Sequence, residues 1–249
     1  MDLELAGKAA LITGGGRGIG AAVARALAGE GCAVSLVDLC AFDDARSLAG
    51  ALSAGGRRAT AIRADVGDLV AAEESVATTV ETFGRLDILV CNAGITRDAV
   101  VWKLSEQAWD DVMTVNLKGA FAYCRAAAPV FRAQRGGRVV TVASINGLRG
   151  KFGQANYAAS KAGVVALTKT LARELGPAGV TVNCVAPGMV RTEMIAALPR
   201  EVMQGAEKEA ALGRIAEPED VAAVVAFLCS ERARHVTGTV IKVDGGQYI

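Results

Sequence analysis

The segment TGGGRGIG, residues 13–20, decides the fold. It joins an apolar run, Ala9–Thr13, to a stretch in which Ile19, Val23 and Leu27 recur at i, i+4 and i+8. A short apolar run suits a strand buried on both faces, and the i, i+4, i+8 spacing suits a helix with one apolar face. We therefore predict a strand–turn–helix connection at this segment.

The same alternation of apolar run and amphipathic stretch continues along all 249 residues. Strand–helix alternation predicts a parallel sheet with helices on both faces, and seven runs are one short of a closed barrel. We expect a single-domain α/β fold over residues 1–249: an open, doubly wound, seven-stranded, Rossmann-like sheet. Its cofactor half is expected at about 1–140, and its catalytic and substrate-lid half at about 141–249. The predicted strands are Ala9–Thr13, Ala33–Val37, Ala59–Arg63, Ile88–Cys91, Arg138–Val142, Val180–Val185 and Thr239–Val243.

Composition excludes several classes of function. The 27 Lys and Arg residues balance 26 Asp and Glu residues, so no strong field attracts nucleic acid or a membrane surface. One histidine, His235, rules out a multi-histidine metal site, and no metal is expected. The six dispersed cysteines indicate buried thiols in a reducing compartment. With no signal peptide and no apolar stretch of about 18 residues, a cytoplasmic location is expected.

The glycines predict a phosphate-binding turn. Gly14, Gly18 and Gly20 let backbone N–H groups approach a pyrophosphate at a helix N-terminus, although an ordinary strand–helix turn is the alternative. Asp38 ends the second strand, where an acid binds the ribose hydroxyls of NAD and repels the extra phosphate of NADP. Arg17 is a counter-signal because it can hold that phosphate, and a helix N-cap is the alternative for Asp38.

Polar or small residues follow the next two strands. Asp65 suits a contact to adenine, with a cap or a turn as the alternative. Asn92, Ala93 and Gly94 let the backbone pack close to a cofactor, or simply form a turn.

Three residues suit hydride transfer between an alcohol and a nicotinamide. Tyr157 and Lys161 are four apart on a predicted helix, and Ser144 follows the fifth strand. With no suitable histidine, a tyrosinate is a sensible base, and a nearby ammonium lowers the phenol pKa from about 10. Ser144 is expected to hold the substrate oxygen by a hydrogen bond.

These motifs resemble the short-chain dehydrogenase/reductase family over essentially the whole chain, including Pro187, Gly188 and the ending VDGG at 243–246. The resemblance implies that Tyr157 is the general acid/base and that Lys161 lowers its pKa and binds the nicotinamide ribose. It implies that Asn116 holds a water linked to Lys161. The implied cofactor-binding residues are Gly14, Arg17, Gly18, Ile19, Gly20, Asp38, Asp65, Val66, Asn92, Ala93, Gly94, Tyr157, Lys161, Pro187, Gly188, Val190 and Thr192; Val190 and Thr192 contact the carboxamide.

Within the family, NAGITRD (92–98) and INGLRGKFGQANY (145–157) resemble reductases of 3-oxoacyl thioesters on acyl carrier protein or coenzyme A. Arg149 and Lys151 either meet a phosphate of such a carrier or are solvated loop charges. Asp38 and the uncharged turn 176–179 depart from the acyl-carrier pattern. We therefore expect NAD as cofactor and a 3-hydroxyacyl or 3-oxoacyl thioester as substrate.

Three alternatives remain open: an NAD-dependent dehydrogenase of a cyclic alcohol, steroid or sugar; an NADPH-dependent carbonyl reductase; and a non-catalytic NAD sensor. A lid is expected over Met189–Leu212, with Met194, Ile195, Leu198 and Met203 on its apolar face. The resemblance implies a homotetramer, for which Ala108–Arg135 and Asn156–Leu175 offer amphipathic surfaces.

Overall fold

The computed structural model describes residues 2–196 and 199–249. Seven strands form one parallel sheet in the order β3-β2-β1-β4-β5-β6-β7. The predicted open, doubly wound α/β sheet is confirmed. The strands are β1 (Ala9–Thr13), β2 (Ala33–Asp38), β3 (Ala59–Arg63), β4 (Ile88–Cys91), β5 (Gly137–Val142), β6 (Val180–Pro187) and β7 (Val240–Val243).

Helices cover both faces of this sheet. The α-helices are α1 (Gly18–Gly29), α2 (Phe42–Ala54), α3 (Leu69–Phe83), α4 (Glu106–Val112), α5 (Gly119–Gln134), α6 (Asn146–Arg149), α7 (Ala155–Leu175), α8 (Glu193–Ala196), α9 (Arg200–Glu209) and α10 (Pro218–Cys229). One apolar core joins the sheet to α1, α2 and α10, and a second joins its other face to α3, α5 and α7. Burial on both faces explains why the inner strands are continuous apolar runs, whereas the edge strands β3 and β7 are only partly buried.

Four strand ends differ slightly from the predicted bounds. β2 continues to Asp38, β5 begins at Gly137 rather than Arg138, and β7 begins at Val240 rather than Thr239. β6 continues two residues past Val185 to Pro187, which pairs with Val243. Pro187 fits a ladder end because its carbonyl accepts the N–H of Ile145 at 3.0 Å and it has no N–H to satisfy.

The strand order reverses between β1 and β4, which places a crevice at their carboxyl ends. Most predicted site residues follow the carboxyl ends of β1 to β6, so the fold collects them at one edge of the sheet. His235 is exposed. Five of the six cysteines are buried, while Cys40 is exposed. Within residues 2–196 and 199–249, no helix is long and apolar enough to cross a bilayer.

Candidate active site

The glycine segment makes the tight connection that the sequence predicts. Gly14 and Gly18 have φ values of +64° and +53°, a backbone region that favours glycine. A Cβ on Gly20 would lie 1.9 Å from the carbonyl oxygen of Gly14, so α1 starts directly against the end of β1. No acidic residue occupies the first turn of α1, and Arg17 gives it no side-chain cap. The helix N-terminus therefore fits an anion such as a pyrophosphate.

Asn92 ties β4 to this turn. Its Nδ2 donates hydrogen bonds to the carbonyl oxygens of Thr13 and Gly14, both at 3.0 Å. The Thr13 hydroxyl accepts the backbone N–H groups of Asn92 and Ala93 at 3.0 and 3.2 Å. A Cβ on Gly14 would lie 2.9 Å from Cα of Ala93, so the two segments are in close contact. Asn92 thus fixes the β1 and β4 turns as one rigid floor.

Asp38 lies beside the glycine segment at the end of β2. Gly16 donates its N–H to Oδ2 of Asp38 at 3.1 Å, and Ala41 donates to Oδ1 at 2.9 Å. The second bond fixes the turn between β2 and α2, but the N-cap of α2 is Ala41, so the alternative of Asp38 as a helix N-cap is wrong. A carboxylate has about four lone-pair positions, which leaves acceptor capacity for ribose hydroxyls.

Asp65 and Val66 follow β3. The Gly67 N–H donates to Oδ1 of Asp65 at 2.8 Å, which is the turn contact that the alternative interpretation predicts. Val66 is buried, and a Cβ on Gly119 would lie 3.0 Å from its Cγ2. These contacts position the two residues at the sheet edge.

Asn116 lies in a π-helical turn, Met113–Lys118, between α4 and α5. Its Oδ1 accepts the N–H of Ile95 at 2.8 Å, and its Nδ2 donates to the Ile95 carbonyl and to Oγ of Ser160, both at 3.1 Å. The side chain therefore joins the segment after β4 to α7. Single π-helical turns are frequent at functional sites because they re-aim one side chain inward.

Lys161 is 4% exposed and lies on α7. Its Nζ donates to the carbonyl oxygen of Val142 at 2.8 Å. Burial lowers the pKa of Lys161 to about 8. A Cβ on Gly94 would lie 3.3 Å from this Nζ and 3.4 Å from Oδ1 of Asn116, so glycine keeps both polar atoms accessible at this position.

Tyr157 lies on α7, and the Ser144 hydroxyl, which follows β5, approaches the Tyr157 hydroxyl. Burial raises the pKa of Tyr157, a hydrogen bond with the Ser144 hydroxyl acts in the opposite direction, and the negative charge of Asp98 raises it further. The predicted lowering of this pKa is therefore not what the chain itself produces. Nζ of Lys161 lies 5.8 Å from the Tyr157 ring centre, and burial of the phenol, not this ammonium, sets the direction of the shift in the Tyr157 pKa.

The segment after β6 approaches the glycine turn. A Cβ on Gly18 would lie 3.1 Å from Cγ2 of Thr192, so these two predicted cofactor residues are close together. Val190 is buried and forms a β-bridge with Ala216. Ile19 is partly buried against the core beneath α1.

The predicted lid contains α8 and α9. Ile195 and Met203 are partly buried. Leu198 and the side chain of Met194 lie outside the described residues.

The sequence allows Arg149 to be either a carrier-phosphate contact or a solvated charge, whereas in the structure it forms an ion pair. Its guanidinium binds Glu209, with Nη1–Oε1 at 2.7 Å and Nη2–Oε2 at 3.1 Å. Lys151 is exposed. The turn before β6 is a short 3-10 helix, Gly176–Ala178.

A chain of amides beside Ser144 was not predicted from the sequence. Gln154 donates from Nε2 to Oδ2 of Asp98 at 2.8 Å, and its Oε1 accepts from Nδ2 of Asn146 at 3.0 Å. The Asn146 N–H in turn donates to Oγ of Ser144 at 3.2 Å. The signal was present in INGLRGKFGQANY, whose polar residues flank Tyr157, but nothing in the sequence specified the partners.

Comparison with known proteins covers nearly the whole chain. Residues 14–247 match the family model described as enoyl-(acyl carrier protein) reductase. A 3-oxoacyl-[acyl-carrier-protein] reductase of Staphylococcus aureus is 42% identical over 242 residues, 97% of this chain and 98% of that protein. The reductase of the same name from Thermotoga maritima is 42% identical over 99% of this chain and 100% of its own. A short-chain reductase, NovJ, of Streptomyces niveus is 44% identical over 96% and 93%.

Proposed function

Because the chain belongs to the short-chain dehydrogenase/reductase family and is an enzyme that interconverts alcohols and carbonyl compounds with a nicotinamide cofactor, we propose that it reduces 3-oxoacyl thioesters with NADH. The observation that carries the chemistry is the convergence of four side chains: Lys161 and Asn116 meet beside Gly94, and Tyr157 lies next to both Lys161 and Ser144. The relatives named as 3-oxoacyl-[acyl-carrier-protein] reductases support the substrate class.

The residues present fit a dinucleotide. The uncapped N-terminus of α1 and the close turn at Gly14–Gly20 suit a pyrophosphate, and Gly94 leaves space that a Cβ would fill beside Lys161. Asp38 would hold the adenosine ribose, while Lys161 and Tyr157 would hold the nicotinamide ribose. We propose NAD(H) over NADP(H) because the Asp38 carboxylate lies where an added phosphate would be repelled.

Tyr157 is the proposed proton donor for reduction. When bound, a nicotinamide cofactor would supply the hydride, and its oxidised ring would add a positive charge that favours the phenolate. Burial keeps the Tyr157 hydroxyl protonated, which suits an acid that protonates the carbonyl oxygen. Ser144 orients that oxygen, and Lys161, held by Val142, adds positive charge on the far side of the phenol. Asn116 aligns α7 through Ser160, whose hydroxyl donates to the Tyr157 carbonyl at 2.8 Å.

A substrate panel run with both cofactors tests the proposal. We expect acetoacetyl-CoA and longer 3-oxoacyl thioesters to be reduced with NADH faster than cyclic ketones, steroids or sugars. Asp38→Asn keeps the shape of the side chain and removes its charge, so the preference for NADH over NADPH should fall by about tenfold. Asp43→Asn, an exposed acid on α2, is the control.

A wild-type enzyme that uses NADPH faster than NADH would contradict the cofactor assignment. Oxidation of a cyclic alcohol with no thioester activity would contradict the substrate class.

The homotetramer and the cytoplasmic location stay predictions, as does the division into a cofactor half and a catalytic half near residue 140.

A further inference from the structure

Gln247, two residues before the last residue of the chain, is 8% exposed and bridges two segments. Its Oε1 accepts the N–H of Met189 at 2.8 Å. Its Nε2 donates to the carbonyl oxygen of Ala206 at 3.3 Å and to Oε2 of Glu209 at 3.2 Å. The side chain thereby joins the end of α9 to the segment that follows β6.

Glu209 extends this connection to the segment Ser144–Arg149 after β5, which we call the catalytic loop. Both of its carboxylate oxygens bind Arg149, the last residue of α6 and five residues after Ser144. Nη1 of Arg149 also donates to the backbone carbonyl of Gln247 at 3.1 Å. Hydrogen bonds from Arg149 lower the pKa of Glu209, so the carboxylate is ionised at neutral pH. We call Arg149, Glu209 and Gln247 the clasp.

The clasp is built into the backbone around it. A Cβ on Gly188 would lie 2.1 Å from Oε1 of Gln247, so the close approach of Gln247 requires glycine there. Bidentate arginine–carboxylate contacts fix orientation as well as distance. Three separate segments are thus held in fixed positions relative to one another: the catalytic loop, the helix α9 and the turn Pro187–Met189.

We propose that Gln247 and Glu209 are positioning residues for the reaction. They hold α9 closed against the catalytic loop and against the Pro187–Met189 turn, and so align the lid with both substrate and cofactor. This inference rests on the proposed function for its kinetic consequences, but the closure of α9 is measurable without turnover. Neither residue touches the reacting atoms.

A donor–acceptor exchange tests the clasp. Gln247→Glu retains the acceptor for Met189 and places a second carboxylate against Glu209, while Glu209→Gln removes the charge that holds Arg149. In the double variant Glu209→Gln/Gln247→Glu, the hydrogen bond between the two side chains can form again with donor and acceptor exchanged. Arg149 then keeps one acceptor at position 209 instead of two, and the Ala206 carbonyl loses its donor. Glu201→Gln, an exposed residue on the same helix, is the matched control. The readouts are amide hydrogen exchange of residues 199–212, NADH affinity by fluorescence, and KM against kcat.

We expect each single variant to exchange hydrogen in α9 about tenfold faster and to raise KM about tenfold with a smaller change in kcat. The double variant should recover part of the loss, because it restores the contact between positions 209 and 247 but not the bidentate pair with Arg149. The proposal is overturned if the single variants match Glu201→Gln, or if the two effects simply add in the double variant, as they do for residues that do not interact. Because Glu209 is exposed, Glu209→Gln decides the matter if Gln247→Glu does not fold. A wild type without thioester activity would overturn the proposed function, while hydrogen exchange and NADH affinity would still decide the clasp.

Discussion

Lys161→Met should make the folded protein more stable at neutral pH while abolishing its activity. The Lys161 side chain is 4% exposed, and burial lowers its pKa from 10.5 to about 8. The folded state therefore binds this proton more weakly than the unfolded chain does. Below pH 8 both states hold the proton, so the full cost of burying the charge opposes folding.

The size of the effect follows from that pKa. A fall of about 2.5 corresponds to about 3 kcal/mol at pH 7, since each pH unit is about 1.4 kcal/mol. Methionine also loses the hydrogen bond to the Val142 carbonyl, which is worth about 1 kcal/mol. The net gain of about 2 kcal/mol raises Tm by about 4–8 °C for a chain of this size.

Thermal unfolding at pH 7 and pH 10 checks the sign as well as the size. Wild-type Lys161 loses its proton in the folded state as pH rises from about 8 towards 10.5, so the cost disappears and the advantage of Lys161→Met shrinks. Lys169→Met, an exposed lysine on the same helix, is the control. A variant no more stable than the wild type at pH 7, or an advantage unchanged at pH 10, would show that burial of the Lys161 charge does not oppose folding.

Three further outcomes follow from the site. Gly94→Ala places a Cβ 3.3 Å from Nζ of Lys161 and should weaken NADH binding about tenfold in a fluorescence titration; unchanged affinity would remove Gly94 from the cofactor site. Asn116→Ala removes hydrogen bonds to Ile95 and Ser160 and should lower the free energy of unfolding by about 2 kcal/mol in urea; a loss below about 0.5 kcal/mol would contradict the tether. The reduction rate should hold below about pH 8 and fall above it as Lys161 releases its proton, while the raised pKa of Tyr157 keeps the phenol protonated; a rate that rises there argues against this role of Lys161.

The sequence specified the architecture closely because the inner strands are buried on both faces. β1 and β4 match their predicted bounds, since an apolar run must end where the chain leaves the core, and the half-buried edge strand β3 matches as well. The turn at Gly14–Gly20 was predictable for a steric reason. A Cβ on Gly20 would lie 1.9 Å from the carbonyl oxygen of Gly14, so this close approach requires glycine.

Contacts between distant segments could not be read from the chain. The π-helical turn around Asn116 has no sequence period, so Asn116 was assigned through family resemblance alone. Arg149 and Glu209 are 60 residues apart and meet only because α9 folds back over α6. The direction of the Tyr157 pKa was also out of reach, because it depends on how deeply the phenol is buried rather than on its distance from Lys161 along the helix.

Tyr157→Phe tests whether the Tyr157 hydroxyl donates the proton to the carbonyl oxygen. The variant removes one oxygen atom and keeps the ring that packs beside Lys161. With NADH and acetoacetyl-CoA, kcat should fall by about 10³-fold while the dissociation constant of NADH stays within about twofold of the wild type. A variant that retains turnover within about tenfold of the wild type would contradict the role of Tyr157.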